Sequence, residues 1–342
     1  MTDIYWERLM TAYAEMGSLP PDHPTLSNPD PELAARLAAA SPEEVEYQSP
    51  DVSEARDVTI EYAGGAFGIR VYTPNSDSSG RPLLVWCHGG AWAAGDLEGP
   101  EGDATAREVV VRADAVVISV DYRLATHGVH FPTPLNDVVE AYRWARENAE
   151  TFGADSDRIT LAGASAGGNL AAGAALWIRD HGLPMPISLA LAYPALHPEL
   201  PAASAELQSK LDRLNKVAAA APEILTPMIE NYLGAPTGEA SPYAMPGVAE
   251  DLTGLPPTYI FNNEYDGLRA SAEKFAYQLA AAGNRVVLET LPDVAHGHFA
   301  RPGLTQSRGS HRDLAAWVTD QRVPSAASIV AVGVHATDED VA

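Results

Sequence analysis

The chain has 342 residues, long enough for one α/β core with insertions, and its 46% hydrophobic and 20% charged content suits a globular protein with a sizeable core. Lys and Arg number 22 against 46 Asp and Glu, a formal net charge of −24 that repels phosphate backbones and anionic membrane surfaces, which excludes nucleic acid as a partner. The single cysteine, Cys87, makes no internal disulfide, and no CxxC or His/Cys spacing marks a metal site.

Residues 1–50 read as a separate helical segment. Tyr5, Leu9, Ala12 and Met16 recur at helical spacing, Leu19-Pro20-Pro21 breaks the pattern, and a second helix is expected over Pro31 to Ala40. The first eight residues are mixed and charged and lack the basic start and apolar stretch of a signal peptide. The longest low-charge run, Ala162 to Ile178, is too short for a membrane span. A soluble cytoplasmic protein is the expectation.

From Asp57 the character changes. Val58–Tyr62 and Phe67–Tyr72 alternate around Gly64-Gly65, which predicts a hairpin. Continuous apolar runs then follow at Leu83–Cys87, Ala115–Val120, Ile159–Ala162, Ile187–Ala192 and Thr258–Phe261. Such runs suit strands buried on both faces of a parallel sheet. Helical patterns lie between and after them, at 103–112, 135–152, 166–180, 270–282 and 307–321. This alternation predicts an α/β fold with a mostly parallel central sheet flanked by helices. Residues from His197 to about Tyr232 break the rhythm as a helical insertion. The tail from Val323 holds a short apolar piece, Ile329–Val334, and is expected to be mobile or docked on a partner chain, which leaves a homo-oligomer open.

One motif carries chemistry. A strand pattern ending at Ala162 leads into Gly163-Ala164-Ser165-Ala166-Gly167, and a helix follows. A G-x-S-x-G sequence arises by chance in roughly a tenth of chains this long. The strand before and the helix after are what a nucleophile elbow requires. Small residues at 163 and 167 let the two backbones approach, and the helix start offers free N–H groups to a developing oxyanion. Upstream, His88-Gly89-Gly90-Ala91-Trp92 ends the apolar run at Cys87. Its glycines leave backbone N–H groups unobstructed. Gly89, Gly90, Ala91 and Ala166 are the candidate oxyanion donors, and His88 is expected to support the loop rather than act as the base.

These pieces resemble the hormone-sensitive-lipase-like branch of the α/β-hydrolases, which contains bacterial carboxylesterases. The matching segments are His88-Gly89-Gly90-Ala91, Asp121-Tyr122-Arg123-Leu124-Ala125, Phe131-Pro132, Gly163 to Gly168, Tyr193-Pro194, Glu264-Tyr265-Asp266-Gly267-Leu268-Arg269 and His296-Gly297, in the family's order across about residues 57–320. The resemblance implies an α/β-hydrolase fold with a helical cap, no cofactor, and esters of short to medium acyl chains as small-molecule substrates. The chain then divides into cap helices (1–50), core (51–196), cap insertion (197–234), core (235–322) and tail (323–342). Ala91 stands where the family usually has Gly, Ala164 where it has Asp, and Gly267 where it has Pro; the segment Thr126–His130 also departs from it.

A serine hydroxyl needs a base in hydrogen-bond reach, and the base needs an orienting carboxylate. In this fold the chain order is Ser, acid, His. His296, His298 and His311 are the downstream bases, and the family's His-Gly pattern selects His296. His311 sits in a helical pattern and reads as a surface residue. Asp266 and Glu264 compete as the acid, with Asp293 behind them. The family motif selects Asp266. Trp92 and Tyr193 are the candidate substrate-binding residues, and packing is the equal reading for Trp92. The predicted function is a Ser-His-Asp carboxylic-ester hydrolase. An amidase shares the triad. A ligand receptor on the same fold is the rival from another class, and the retained triad candidates argue against it.

Overall fold

The computed structural model describes residues 3–20, 23, 26, 27, 29–38, 46–321 and 329–331. Among these residues one sheet has nine strands: β1 (Glu54–Tyr62), β2 (Gly65–Thr73), β3 (Arg81–Cys87), β4 (Val116–Asp121), β5 (Ala154–Ala164), β6 (Ser188–Ala192), β7 (Thr258–Tyr265), β8 (Val286–Ala295) and β9 (Ile329–Ala331). Their order is β1-β2-β4-β3-β5-β6-β7-β8-β9. Strands β3 to β8 run parallel to their neighbours within that set, and β1, β2 and β9 pair antiparallel.

The helices are α1 (Ile4–Ser18), α2 (Pro31–Ala38), α3 (Asp103–Ala113), α4 (Thr133–Asn148), α5 (Ala166–Asp180), α6 (Ala205–Leu211), α7 (Pro222–Leu233), α8 (Arg269–Ala281) and α9 (Thr305–Asp320). The expected hairpin is β1–β2, joined by Ala63 and Gly64. The strand expected from Val58 begins four residues earlier, and the strand expected to end at Phe261 runs on to Tyr265. Residues 39 and 40 of the second expected helix lie outside the described residues.

The reason for continuous apolar runs is visible in β3, whose seven residues are all buried. Leu83, Val85 and Cys87 enter the core on the face covered by α4 and α5. Leu84 and Trp86 enter the opposite core, with α3 and α9. The period of two that normally separates core from solvent here separates one core from another. Each fully buried aliphatic side chain stabilises the fold by about 1.5–3 kcal/mol.

The insertion contains α6 and α7 and no strand. Helix α7 packs against α1, where Arg8 pairs with Glu230 at 2.7 Å. Leu33 of α2 and Leu214 after α6 share a small core with Tyr265 at the end of β7. Of the apolar piece of the tail, Ile329–Ala331 pairs with Val287–Glu289 and extends the sheet. The remainder of 322–342 lies outside the described residues. Among the described residues no helix is long and apolar enough to cross a membrane.

Candidate active site

Ser165 sits between β5 and α5 at φ 52° and ψ −115°. That left-handed backbone is strained for a serine and turns its side chain away from the sheet. Its amide is tied to the Ala192 carbonyl at 2.8 Å. The turn is possible only because nothing projects from its flanks. A Cβ on Gly167 would lie 2.1 Å from the Cys87 carbonyl oxygen, and one on Gly163 would lie 2.4 Å from the Gly167 carbonyl.

His296 follows the last residue of β8, and Asp266 follows the last residue of β7. The parallel register of β7 and β8 brings both to the same edge as Ser165. His296 Nε2 is 3.0 Å from Ser165 Oγ, and His296 Nδ1 is 2.8 Å from Asp266 Oδ2. Asp266 is 1% exposed. Its other oxygen accepts the Leu268 amide at 2.9 Å, which fixes the carboxylate plane. With Nδ1–H donated to Asp266, Nε2 is left to accept the serine proton. Burial opposes charging the imidazole, but the charge and hydrogen bond of Asp266, aided by the charge of Glu101, outweigh it and hold the His296 pKa above its ordinary 6.5.

The rivals fall away by position. His298 is buried, with Nδ1 on Asn263 Oδ1 at 2.7 Å and Nε2 on Ser310 Oγ at 2.8 Å. Burial lowers its pKa to about 3. His311 is not a surface residue. It is fully buried on α9, 3.3 Å from Thr105 Oγ1, because α9 turns that face onto α3. Glu264 binds Lys210 Nζ at 2.6 Å and the Asp293 amide at 2.7 Å. That accounts for the Glu264 carboxylate.

The loop after β3 carries three successive positive φ angles, 116° at Gly90, 51° at Ala91 and 59° at Trp92. A Cβ on Gly90 would meet the Ala94 carbonyl oxygen at 2.1 Å, so glycine is required there. Ala91 adopts the left-handed region despite its methyl group. Among the described residues the amides of Gly90, Ala91 and Ala166 have no acceptor, and all three residues border the cavity above Ser165. Gly89 departs from expectation: its amide is already donated to Glu101 Oε2 at 2.5 Å. His88 lies against the same loop. Its Nδ1 lies 2.7 Å from the Gly89 carbonyl, and its ring stacks on Tyr122, whose hydroxyl donates to the His88 carbonyl at 3.0 Å.

The cavity has a volume of about 720 Å³. Apolar side chains of the insertion, including Val217, Ile224, Leu225 and Met228, face Ser165 across it, and Tyr13 and Leu26 close another side. Trp92 borders it, but its indole is 1% exposed, stacked on Tyr232 and donating to Asn169 Oδ1 at 3.1 Å. Tyr193 is also 1% exposed and lies behind the triad, its ring edge-on to His296 and its hydroxyl donating to Glu101 Oε1 at 2.6 Å. It does not line the cavity, although a substrate-binding role is expected of it from the sequence. Sequence reading missed Glu101 and Asn169. Glu101 sits in a Gly- and Pro-rich loop with no periodicity. Asn169 is the one polar residue between Ala166 and Ile178 on its helix, a pattern that signals a buried hydrogen-bonding role.

Comparison with known proteins agrees with this geometry. A family model described as alpha/beta hydrolase fold matches residues 84–300. Esterase LipI of Mycobacterium tuberculosis is 35% identical over 253 residues, covering 72% of this chain and 76% of the relative. An arylesterase of Saccharolobus solfataricus is 35% identical over 236 residues, covering 68% and 72%. Among solved structures, a hyperthermophilic esterase from the archaeon Pyrobaculum calidifontis superposes with a TM-score of 0.70 at 32% identity, covering 80% of this chain and 88% of that one. The chain belongs to the α/β-hydrolase family, in its hormone-sensitive-lipase-like branch.

Proposed function

We propose that this chain is a serine carboxylesterase acting on esters of short to medium acyl chains. One observation carries the reading: an unbroken hydrogen-bonded line from Ser165 Oγ through His296 to Asp266 opens on a mainly apolar cavity. His296 takes the proton of Ser165 as its oxygen attacks the ester carbonyl. The amides of Gly90, Ala91 and Ala166 form the oxyanion hole and receive the charge that develops on the carbonyl oxygen. His296 then returns the proton to the leaving alkoxide, and the alcohol departs. Water, deprotonated by the same imidazole, cleaves the acyl-enzyme and releases the acid and free Ser165. Asp266 holds the productive tautomer throughout. Helices α1, α2, α6 and α7 serve as the cap, and its apolar side chains favour uncharged acyl and alcohol groups.

The test is a burst of p-nitrophenol from p-nitrophenyl acetate and butyrate, with chain length extended to decanoate. Expected are a burst equal to the enzyme concentration and its loss in Ser165→Ala. Undiminished turnover in that variant overturns the reading. A fluorophosphonate that fails to label the wild-type serine favours a ligand receptor instead.

A further inference from the structure

Glu101 is the carboxylate of the cavity that the triad leaves unused. It lies on the loop between β3 and α3 and borders the same space as Ser165 and His296. Its two oxygens do different things. Oε2 accepts the Gly89 amide at 2.5 Å, and Oε1 accepts the Tyr193 hydroxyl at 2.6 Å. The fit is close: a Cβ on Gly89 would lie 2.5 Å from Oε2 and 3.3 Å from Ser165 Cβ. The carboxylate therefore joins the first amide after His88 to the residue following β6.

That tie matters because of what comes next in the chain. Gly90, Ala91 and Trp92 all hold positive φ. Each non-glycine residue in that region costs about 1–2 kcal/mol, so the loop keeps this shape only if its surroundings impose it. A charge-assisted hydrogen bond on the Gly89 amide is a strong constraint at the loop's root. Tyr193 makes the other end rigid: it is buried, and its amide is donated to the Phe261 carbonyl at 2.7 Å.

We propose that Glu101 is a positioning residue of the reaction, whose carboxylate clamps Gly89 to Tyr193 and thereby aims the amides of Gly90 and Ala91 at the developing oxyanion. The proposal rests on the esterase reading of Ser165. It also has an electrostatic signature. The titratable groups facing His296 are Asp266 after β7, Glu101 from the oxyanion loop, Tyr193 after β6 and His298 on its own loop. The charge of Glu101 favours the protonated imidazole. Removing that charge lowers the proton affinity of His296.

The experiment compares wild type with Glu101→Ala, Glu101→Gln and Tyr193→Phe, reading kcat and KM separately and kcat/KM against pH on p-nitrophenyl butyrate. Glu101→Ala is expected to lower kcat by about tenfold or more with KM nearly unchanged, since misaimed donors weaken the transition state and not the ground state. Glu101→Gln keeps an acceptor for Gly89 and should recover most of kcat, while its acidic limb moves to lower pH. Tyr193→Phe should lower kcat less than Glu101→Ala. Wild-type kcat in Glu101→Ala, or a loss confined to KM, overturns the proposal. So does a Glu101→Gln enzyme as slow as the alanine variant with an unmoved acidic limb. Circular dichroism and fluorophosphonate labelling establish that each variant is folded, and Glu101→Gln carries the test if the alanine variant is not. Failure of the esterase reading looks different: wild type itself would show no Ser165-dependent turnover.

Discussion

The indole of Trp92 lies flat on the phenol ring of Tyr232, with ring centroids 4.5 Å apart and planes 7° from parallel. Trp92 directly follows Ala91, the second proposed oxyanion donor of its loop, and Tyr232 belongs to α7, which forms part of the cavity roof. Both side chains are essentially excluded from solvent. The loop of the proposed oxyanion donors and the helix that lines the cavity are therefore one packed unit. Trp92→Ala and Tyr232→Ala should each destabilise the protein by about 3–5 kcal/mol. Their effects should couple by about 1 kcal/mol in a double-mutant cycle followed by urea unfolding. Trp92→Ala should also lower kcat, because the Ala91 amide loses its anchor. Strictly additive stabilities would show that the stacking contributes nothing beyond burial.

The pH dependence of activity follows from His296. The reaction needs the neutral imidazole in the free enzyme. Burial disfavours the charged ring, yet Asp266 and Glu101 together keep its pKa above 6.5. The acidic limb of kcat/KM should therefore have its midpoint above that value, with activity falling as pH drops through it. A profile flat from pH 8 down to pH 6 would assign the base elsewhere.

Stability should respond to acid through different histidines. Burial lowers His298 and His311 to about 3 and His197 to about 4, all well below the 6.5 of an unfolded chain. The unfolded state then binds protons that the native state refuses. The sign is fixed: stability is full above pH 6.5 and declines as pH falls toward the folded values. At pH 5 each group costs about 2 kcal/mol relative to neutral pH. Unfolding free energies from urea titrations should accordingly be several kcal/mol lower at pH 5 than at pH 7. His311→Gln should be less stable at pH 7 yet lose less between the two. Equal free energies at both pH values would contradict these three burials.

Much of this site was legible because its chemistry is tied to backbone geometry. Gly163 and Gly167 announce the close crossing of β5, α5 and the loop after β3, since no side chain fits there. The strands end in the order that lets Asp266 and His296 meet. What stayed hidden depends on tertiary partners. His311 reads as a surface residue on its helix, because the pattern of α9 does not reveal that α3 covers it. Tyr193 follows a strand end as a substrate-binding residue would, but its positive φ of 38° turns it behind the triad. Glu101 carries no local signal: its role is set by Gly89 and Tyr193, which lie 12 and 92 positions away in the chain. The tail strand went unread because three residues at a sheet edge gain their meaning only from β8.

Glu264 and Asp266 are two residues apart and hold opposite duties, which makes the pair a discriminating test. Asp266 faces His296, and removing its charge while keeping its shape should leave the imidazole in the wrong tautomer. Asp266→Asn is expected to lower kcat by about 10⁴-fold. Glu264 faces away, between Lys210 on α6 and the Asp293 amide on the strand leading to His296. Lys210 also pairs with Glu206, and Arg269 with both Glu206 and Glu273, so a small charge network fastens the insertion to the end of β7. Lys210 and Glu264 are about one-fifth exposed while Glu206 is about half exposed, so loss of the Glu264 link alone should cost about 1 kcal/mol. Glu264→Gln should therefore lower Tm while leaving kcat within a few-fold of wild type, and Asp266→Asn should do the reverse. Thermal melts alongside kcat on p-nitrophenyl butyrate measure both. If Glu264→Gln proved the slower enzyme, the acid of the triad would have to be reassigned.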